Sequence, residues 1–305
     1  MIAQLNDDGR RLDRILRKAL PNISLSTIHK LLRTGKVLVN GKTSKAENRI
    51  AAGSIIAIKS RDNIEHIPRQ NTETETLSKY IVWIGEGLLV LNKPSGLEVH
   101  GEKSLETMVC TYLADKIPTS LSFRPGPLHR LDKPTSGLIV FSTSLEGAQY
   151  FSSLIQKGEV EKEYLALVDG RIENTILWEE GLVRDKKMRK TFIAKDSEVK
   201  SQSAQTLITP LLVSNSHSLI KAEILTGRTH QIRAHASFHG HPLSGDKKYG
   251  SSSKNFQRNK EQGFFLHAYM LSFYENKTRN LLTLKAPLPE TFNKKIANIF
   301  GRTIS

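Results

Sequence analysis

Four apolar runs of strand length follow Lys79: residues 88–91, 137–141, 164–168 and 218–224. No helical pattern separates each run from the next in regular turn. A doubly wound parallel sheet needs that alternation, because every parallel crossover takes up a helix. The spacing therefore predicts an α+β domain on a mostly antiparallel mixed sheet. One helix is legible inside it. Leu145, Ala148, Leu154 and Ile155 share a face, and Gly158 ends the run. Residues 251–263 are polar and read as a mobile loop.

The first sixty residues follow another pattern. Leu12, Ile15, Leu16, Ala19 and Leu20 form an apolar helical stripe, with Arg11, Arg14, Arg17 and Lys18 largely off it. Pro21 and Asn22 stop this helix, and Ser24 can cap a second one bearing Leu25, Ile28, Leu31 and Leu32. Gly35 closes it. A strand over 36–39, the turn signal Asn40-Gly41 and a closing strand over 55–58 complete a small module. Between Arg10 and Lys59 there are twelve Lys or Arg and two Asp or Glu, so this segment holds ten of the net fifteen positive charges. Charge so concentrated attracts polyanions through counterion release. Nucleic acid fits better than an anionic membrane, since no strongly apolar amphipathic helix accompanies the charge. The polar stretch 61–78 reads as a linker between a basic domain at 10–60 and a larger domain at 79–301. A tether of this kind raises the effective concentration of bound RNA at a separate site.

Cys110 is the one cysteine, which excludes a disulfide within the chain and fits a reducing compartment. Its apolar neighbours Met108, Val109 and Leu113 place it on a buried helix. The acidic N-terminus does not read as a signal peptide, and no stretch approaches a membrane span. A cytoplasmic monomer is expected.

The chemistry starts at the charged turn His129-Arg130-Leu131-Asp132, which runs straight into an apolar strand. A lone Asp there is ordinarily a turn residue that bonds its own backbone. Its distant companions change the reading. They are the segments 162–168, 226–235 and 240–250, together with 90–96 and 266–268. In this order they resemble the RluA-type family of pseudouridine synthases, over roughly residues 79–300. That resemblance implies the pseudouridine synthase fold and isomerisation of uridine in RNA, with Asp132 as the catalytic carboxylate. It implies Arg233 as the partner of that carboxylate and Tyr164 as the active-site tyrosine. A guanidinium can hold a shielded carboxylate charged, and lock it through two hydrogen bonds. Arg130 is placed to brace the space left by a flipped base, and His129 either helps or packs. Lys93 and Lys162 contact phosphate or support the site.

The N-terminal residues also resemble a known module, the RNA-binding domain named after ribosomal protein S-four. Arg14, Arg33, Lys36 and Lys42 lie in the matching stretches, and such modules read backbone shape and phosphates. The reaction needs no cofactor and no metal. His235 and His239 share a helix face as zinc ligands can, but Ala236 stands where a zinc protease has Glu. The segments 91–101 and 162–168 look most like the RluC branch, which implies large-subunit ribosomal RNA as substrate. Pro134 departs from that branch, where an acidic residue is common. A transfer RNA, another ribosomal site, or a non-catalytic RNA-binding role in ribosome assembly are the alternatives.

Overall fold

The N-terminal residues fold as their apolar stripes require. A computed structural model describes residues 1–59, 75–118, 120–185, 187–194, 201–250 and 263–303. Strand β1 (Arg10–Arg11) leads into α1 (Leu12–Ala19) and α2 (Leu25–Arg33), and Ser24 caps α2 by accepting the Thr27 amide. Strands β2 (Val37–Val39), β3 (Lys42–Thr43), β4 (Arg49–Ile50) and β5 (Ile56–Ile58) follow. β3, β2 and β5 form one small sheet, and β4 pairs with β1. Asn40 and Gly41, at φ 49° and 80°, make the two-residue hairpin between β2 and β3. Leu12, Ile15, Leu16, Ile28, Val37 and Ile56 close a core of their own.

The second domain begins inside the expected linker. Helix α3 (Glu75–Ser78) takes its last four residues, and Leu77 is fully buried. The rest of that linker, and residues 251–262 of the loop expected over 251–263, lie outside the described residues. Then come β6 (Ile81–Gly85), β7 (Leu88–Lys93), α4 (Leu105–Leu113), β8 (Gly126–Pro127), β9 (Ser136–Ser142), α5 (Leu145–Lys157) and β10 (Glu161–Asp169). They are followed by β11 (Ile176–Trp178), β12 (Leu182–Asp185), β13 (Lys190–Ile193), β14 (Thr206–Val213), β15 (His217–Ile224), α6 (Gln231–Phe238), β16 (Leu266–Tyr274), β17 (Leu281–Lys285) and α7 (Glu290–Phe300). The main sheet runs β11-β14-β15-β10-β16-β9-β7-β6, with β17 on β16 and β8 on β9. β9 and β16 are its parallel pair among antiparallel neighbours. The α+β reading holds.

Helices cover both faces of this sheet, which explains why its strands read as unbroken apolar runs. Leu89, Leu91, Ile139 and Phe141 pack with Leu105 and Val109 of α4 and Ile232 of α6. The alternate residues Leu88, Val90, Leu138 and Val140 pack with Phe151 and Leu154 of α5. α7 adds Phe292 and Ile296 over Leu167, Leu212 and Leu219.

The parallel pair is the tightest point. Gly137 has φ 103°, and a Cβ there would overlap the Ala268 carbonyl. Beside it Ser136 Oγ donates to His267 Nδ1 (2.8 Å), and His267 Nε2 donates to the Ala286 carbonyl (3.1 Å). Burial pushes the His267 imidazole down to about 4, against the opposing pull of the Ala286 bond.

Two outcomes follow. Gly137→Ala should lose about 3 kcal/mol in denaturant unfolding, because backbone must move to admit the methyl. His267 contributes stability that is fully present above its ordinary 6.5 and is lost as pH falls through about 4. That slope should reach about 3 kcal/mol across the window, and unfolding of His267→Gln measured from pH 7 to pH 4 should be flatter.

Candidate active site

Asp132 sits in the turn that launches β9, where its carbonyl accepts the Thr135 amide (3.0 Å). The turn is held from below by Lys93, the last residue of β7, whose side chain is fully buried. Its ammonium donates to the carbonyls of Pro94 (2.9 Å), Leu97 (2.8 Å) and Lys133 (3.1 Å). Burial pushes Lys93 down to about 8, and the Asp132 charge pulls the other way. Of the two expected roles, Lys93 takes support of the site, since it cannot reach a phosphate from there.

Arg233, on α6, meets Asp132 across 101 positions of sequence: Nη1 donates to Asp132 Oδ2 at 2.6 Å. The rest of the guanidinium serves another carboxylate. Nε and Nη2 donate to Asp246 Oδ2 (2.7 Å) and Oδ1 (2.9 Å). The two-bond grip expected on Asp132 therefore belongs to Asp246, and Asp132 receives one bond. Asp246 is buried and also accepts the Lys248 and Tyr249 amides, so its position is fixed by its own loop. The guanidinium lies between the rings of Tyr249 (4.7 Å) and Phe264 (4.3 Å). Burial alone would lower Arg233, but Asp246 and then Asp132 raise it above its ordinary value.

The second oxygen of Asp132 faces His230, whose Nε2 is 3.5 Å from Oδ1. His230 precedes α6 with φ 56°. Its Nδ1 lies 2.8 Å from the Tyr249 hydroxyl, which accepts the Thr191 amide at 2.7 Å. The Tyr249 proton is thus directed to Nδ1, and Arg184 Nη1 approaches the same nitrogen (3.5 Å). This leaves the imidazole hydrogen on Nε2, toward Asp132. Burial pushes His230 down to about 4 despite the Asp132 charge, which keeps it neutral.

Tyr164 is buried on β10, beside a bulge, and pairs with Ala268 of β16. Ala268 in turn pairs with Gly137, so Tyr164 is separated from the start of the Asp132 strand by β16 alone. Burial, then the Asp132 charge, raises its phenol above the ordinary value. Burial lowers Lys162. Arg130 is exposed, two residues from Asp132. His129 packs: its Nε2 accepts the Val140 amide (3.1 Å), and burial first, then Lys162, pushes it down to about 3. Of the two expected roles, packing is the one seen: the half-buried imidazole is engaged through Nε2. Arg14, Arg33, Lys36 and Lys42 are all exposed on the N-terminal domain.

The histidine cluster is structural. His235 bonds Thr206 Oγ1 (2.9 Å) and the Glu180 carbonyl (3.1 Å), and His239 stacks on Trp178 at 4.9 Å. Among the described residues no three His, Cys, Asp or Glu side chains gather to hold a metal. Cys110 is half-buried on α4. No helix of the described residues is long and apolar enough to cross a membrane. Sequence reading did not assign His230, Asp246 or Tyr249 to the site. The available signal was that all three fall in the two segments carrying the resemblance, 226–235 and 240–250.

Residues 87–238 match the family described as RNA pseudouridylate synthase, and residues 10–56 match the S4 domain. The Ribosomal large subunit pseudouridine synthase C of Pasteurella multocida is 32% identical, over 95% of this chain and 90% of the relative. The Ribosomal large subunit pseudouridine synthase D of Neisseria meningitidis is also 32% identical, over 92% of this chain and 76% of its own. The solved Human RNA Pseudouridylate Synthase Domain Containing 4 shares the fold, with a TM-score of 0.61 and 23% identity over 73% of this chain and 94% of that one.

Removing Asp246 should leave the buried Arg233 with the partly exposed Asp132 as its one carboxylate partner. Asp246→Ala is expected to cost about 3–5 kcal/mol in denaturant unfolding. An exposed carboxylate of the same domain, Glu290, replaced by Ala should stay within about 0.5 kcal/mol.

Proposed function

We propose a division of labour from the premise that the chain belongs to the RNA pseudouridylate synthase family and is an RNA pseudouridine synthase. In that reaction the bond from ribose C1′ to uracil N1 breaks and a bond from C1′ to C5 forms. The C5 proton leaves and N1 gains one, so atoms balance with no change of oxidation state. Asp132 is the carboxylate that acts on the nucleoside. Attack on the base, attack on C1′ and removal of a ribose proton all require it to be free and charged. The observation that carries this reading is the 2.6 Å contact between Asp132 and Arg233. Arg233 offsets the charge and fixes one oxygen, while His230 faces the other.

Tyr164 stacks on the uracil and assists removal of the C5 proton. Its phenol stays neutral while Asp132 is charged, and covalent engagement of Asp132 would relieve part of that upward pull. Arg130 braces the vacated stack, which its exposure permits. Residues 10–60 are the RNA-gripping domain, with Arg14, Arg33, Lys36 and Lys42 at phosphates. Residues 61–78 connect it to the catalytic domain at 79–301. The substrate is large-subunit ribosomal RNA. The relative named synthase C is matched over 90% of its length and the one named synthase D over 76%, both at 32% identity, which supports that class and agrees with the RluC-like reading.

Chemical mapping of pseudouridine in unmodified large-subunit ribosomal RNA tests this. The protein should form it, and Asp132→Asn should bind the RNA within about twofold of the parent yet form none; residual turnover in that variant would remove Asp132 from its role. Arg233→Lys keeps the charge but not the fork, and should lower kcat by about a hundredfold.

A further inference from the structure

Asp7 is a buried carboxylate with no part in the Asp132–Arg233–Asp246 cluster, and it takes five hydrogen bonds. One comes from its own segment, the Gln4 amide (2.8 Å). The other four come from the second domain. Ser120 Oγ (2.7 Å), Ser122 Oγ (2.6 Å) and the Ser122 amide (2.9 Å) reach Oδ1, and the Leu121 amide (3.0 Å) reaches Oδ2. Around this carboxylate the contact widens. Arg10 Nη1 donates to the Ser122 carbonyl (3.0 Å) and hydroxyl (2.9 Å), and Leu121 packs on the N-terminal core. Asn6 Oδ1 accepts the Leu145 amide (3.1 Å) at the start of α5. Burial would raise the Asp7 carboxyl, but the donors of Ser122, Gln4, Leu121 and Ser120 hold it below its ordinary value.

The place of these contacts matters. Residues 120–122 lead through β8, which pairs with β9, to the Arg130–Asp132 turn. Leu145 follows the far end of β9 by three positions. Because β8 pairs with Phe141 and Ser142, both contacts fall at the end of β9 opposite the one that Asp132 launches, and that strand joins them to the site. A flexible tether lets a bound RNA present many uridines to the site, whereas a docked domain admits one geometry.

We infer that Asp7 is a positioning residue for substrate choice: it locks the basic domain onto the catalytic domain, so that phosphates gripped by the one and the uridine at Asp132 are set against a single frame. This replaces the tether expected from the linker, and it rests on the RNA-synthase reading of both domains.

The test pairs a distance with a rate. Spin labels at Lys30→Cys and Lys294→Cys, in a Cys110→Ala background, should report one narrow distance in the parent and a broad distribution in Asp7→Ala. On unmodified large-subunit ribosomal RNA, Asp7→Ala should raise KM about tenfold, leave kcat within about twofold and modify additional uridines. Asp7→Asn, which keeps one acceptor oxygen, should fall between. The double variant Ser120→Ala/Ser122→Ala, which removes two of the four donors and leaves the Leu121 and Ser122 amides on Asp7, should shift KM and the distance distribution in the same direction as Asp7→Ala but less far. A narrow distance in Asp7→Ala, an unchanged KM, or a loss confined to kcat overturns the inference. Should the parent form no pseudouridine at all, the catalytic reading fails instead, and the distance measurement still decides whether the lock exists.

Discussion

The arrangement of charged groups in the second domain depends on Arg233. One guanidinium serves two carboxylates: the fork closes on Asp246, and the remaining nitrogen reaches Asp132. A buried charge is tolerable only when paired and hydrogen-bonded. Asp246 satisfies that need and thereby fixes the angle at which Arg233 offers its last donor. The rings of Tyr249 and Phe264 remove the remaining freedom. Asp132 is then held by one short bond at one oxygen and faces a neutral imidazole at the other. That arrangement leaves the Asp132 carboxylate less encumbered than a bidentate pair would.

The sheet supplies the frame for this pair. Its antiparallel strands could slide or twist, but the β9–β16 pair is closed by a backbone approach that only glycine allows at Gly137. Ser136 and His267 bond beside it in full burial. Asp132 precedes Gly137 by five residues and Tyr164 lies one strand beyond it. Lys93 holds the connecting turn through three carbonyls, an arrangement that keeps a buried ammonium satisfied while it supports the site.

The two domains join by the same physics. Asp7 is as buried as any core leucine, and its carboxylate is met by five hydrogen bonds. Four donors from residues 120–122 converge on it, so the N-terminal charge is presented from a docked body. The basic residues Arg14, Arg33, Lys36 and Lys42 stay exposed on that body.

Much of this was legible in the chain itself. Apolar period and turn residues placed α1, α2, α5 and the strands β7, β9, β10 and β15, because burial on both faces leaves long apolar runs and caps leave Ser, Asn-Gly and Gly. Lopsided charge marked the RNA-seeking half. The order of motifs picked out Asp132, Tyr164 and Arg233. Sequence could not say that His129 packs inward, that Arg233 gives its fork to Asp246, or that His230 and Tyr249 complete the carboxylate's surroundings. Nor could it show Asp7 fastening one domain to the other. Local patterns fix elements because propensity and burial act over a few residues. Pairings across a hundred positions are decided only when packing brings buried charges together and each must find a partner of fixed geometry.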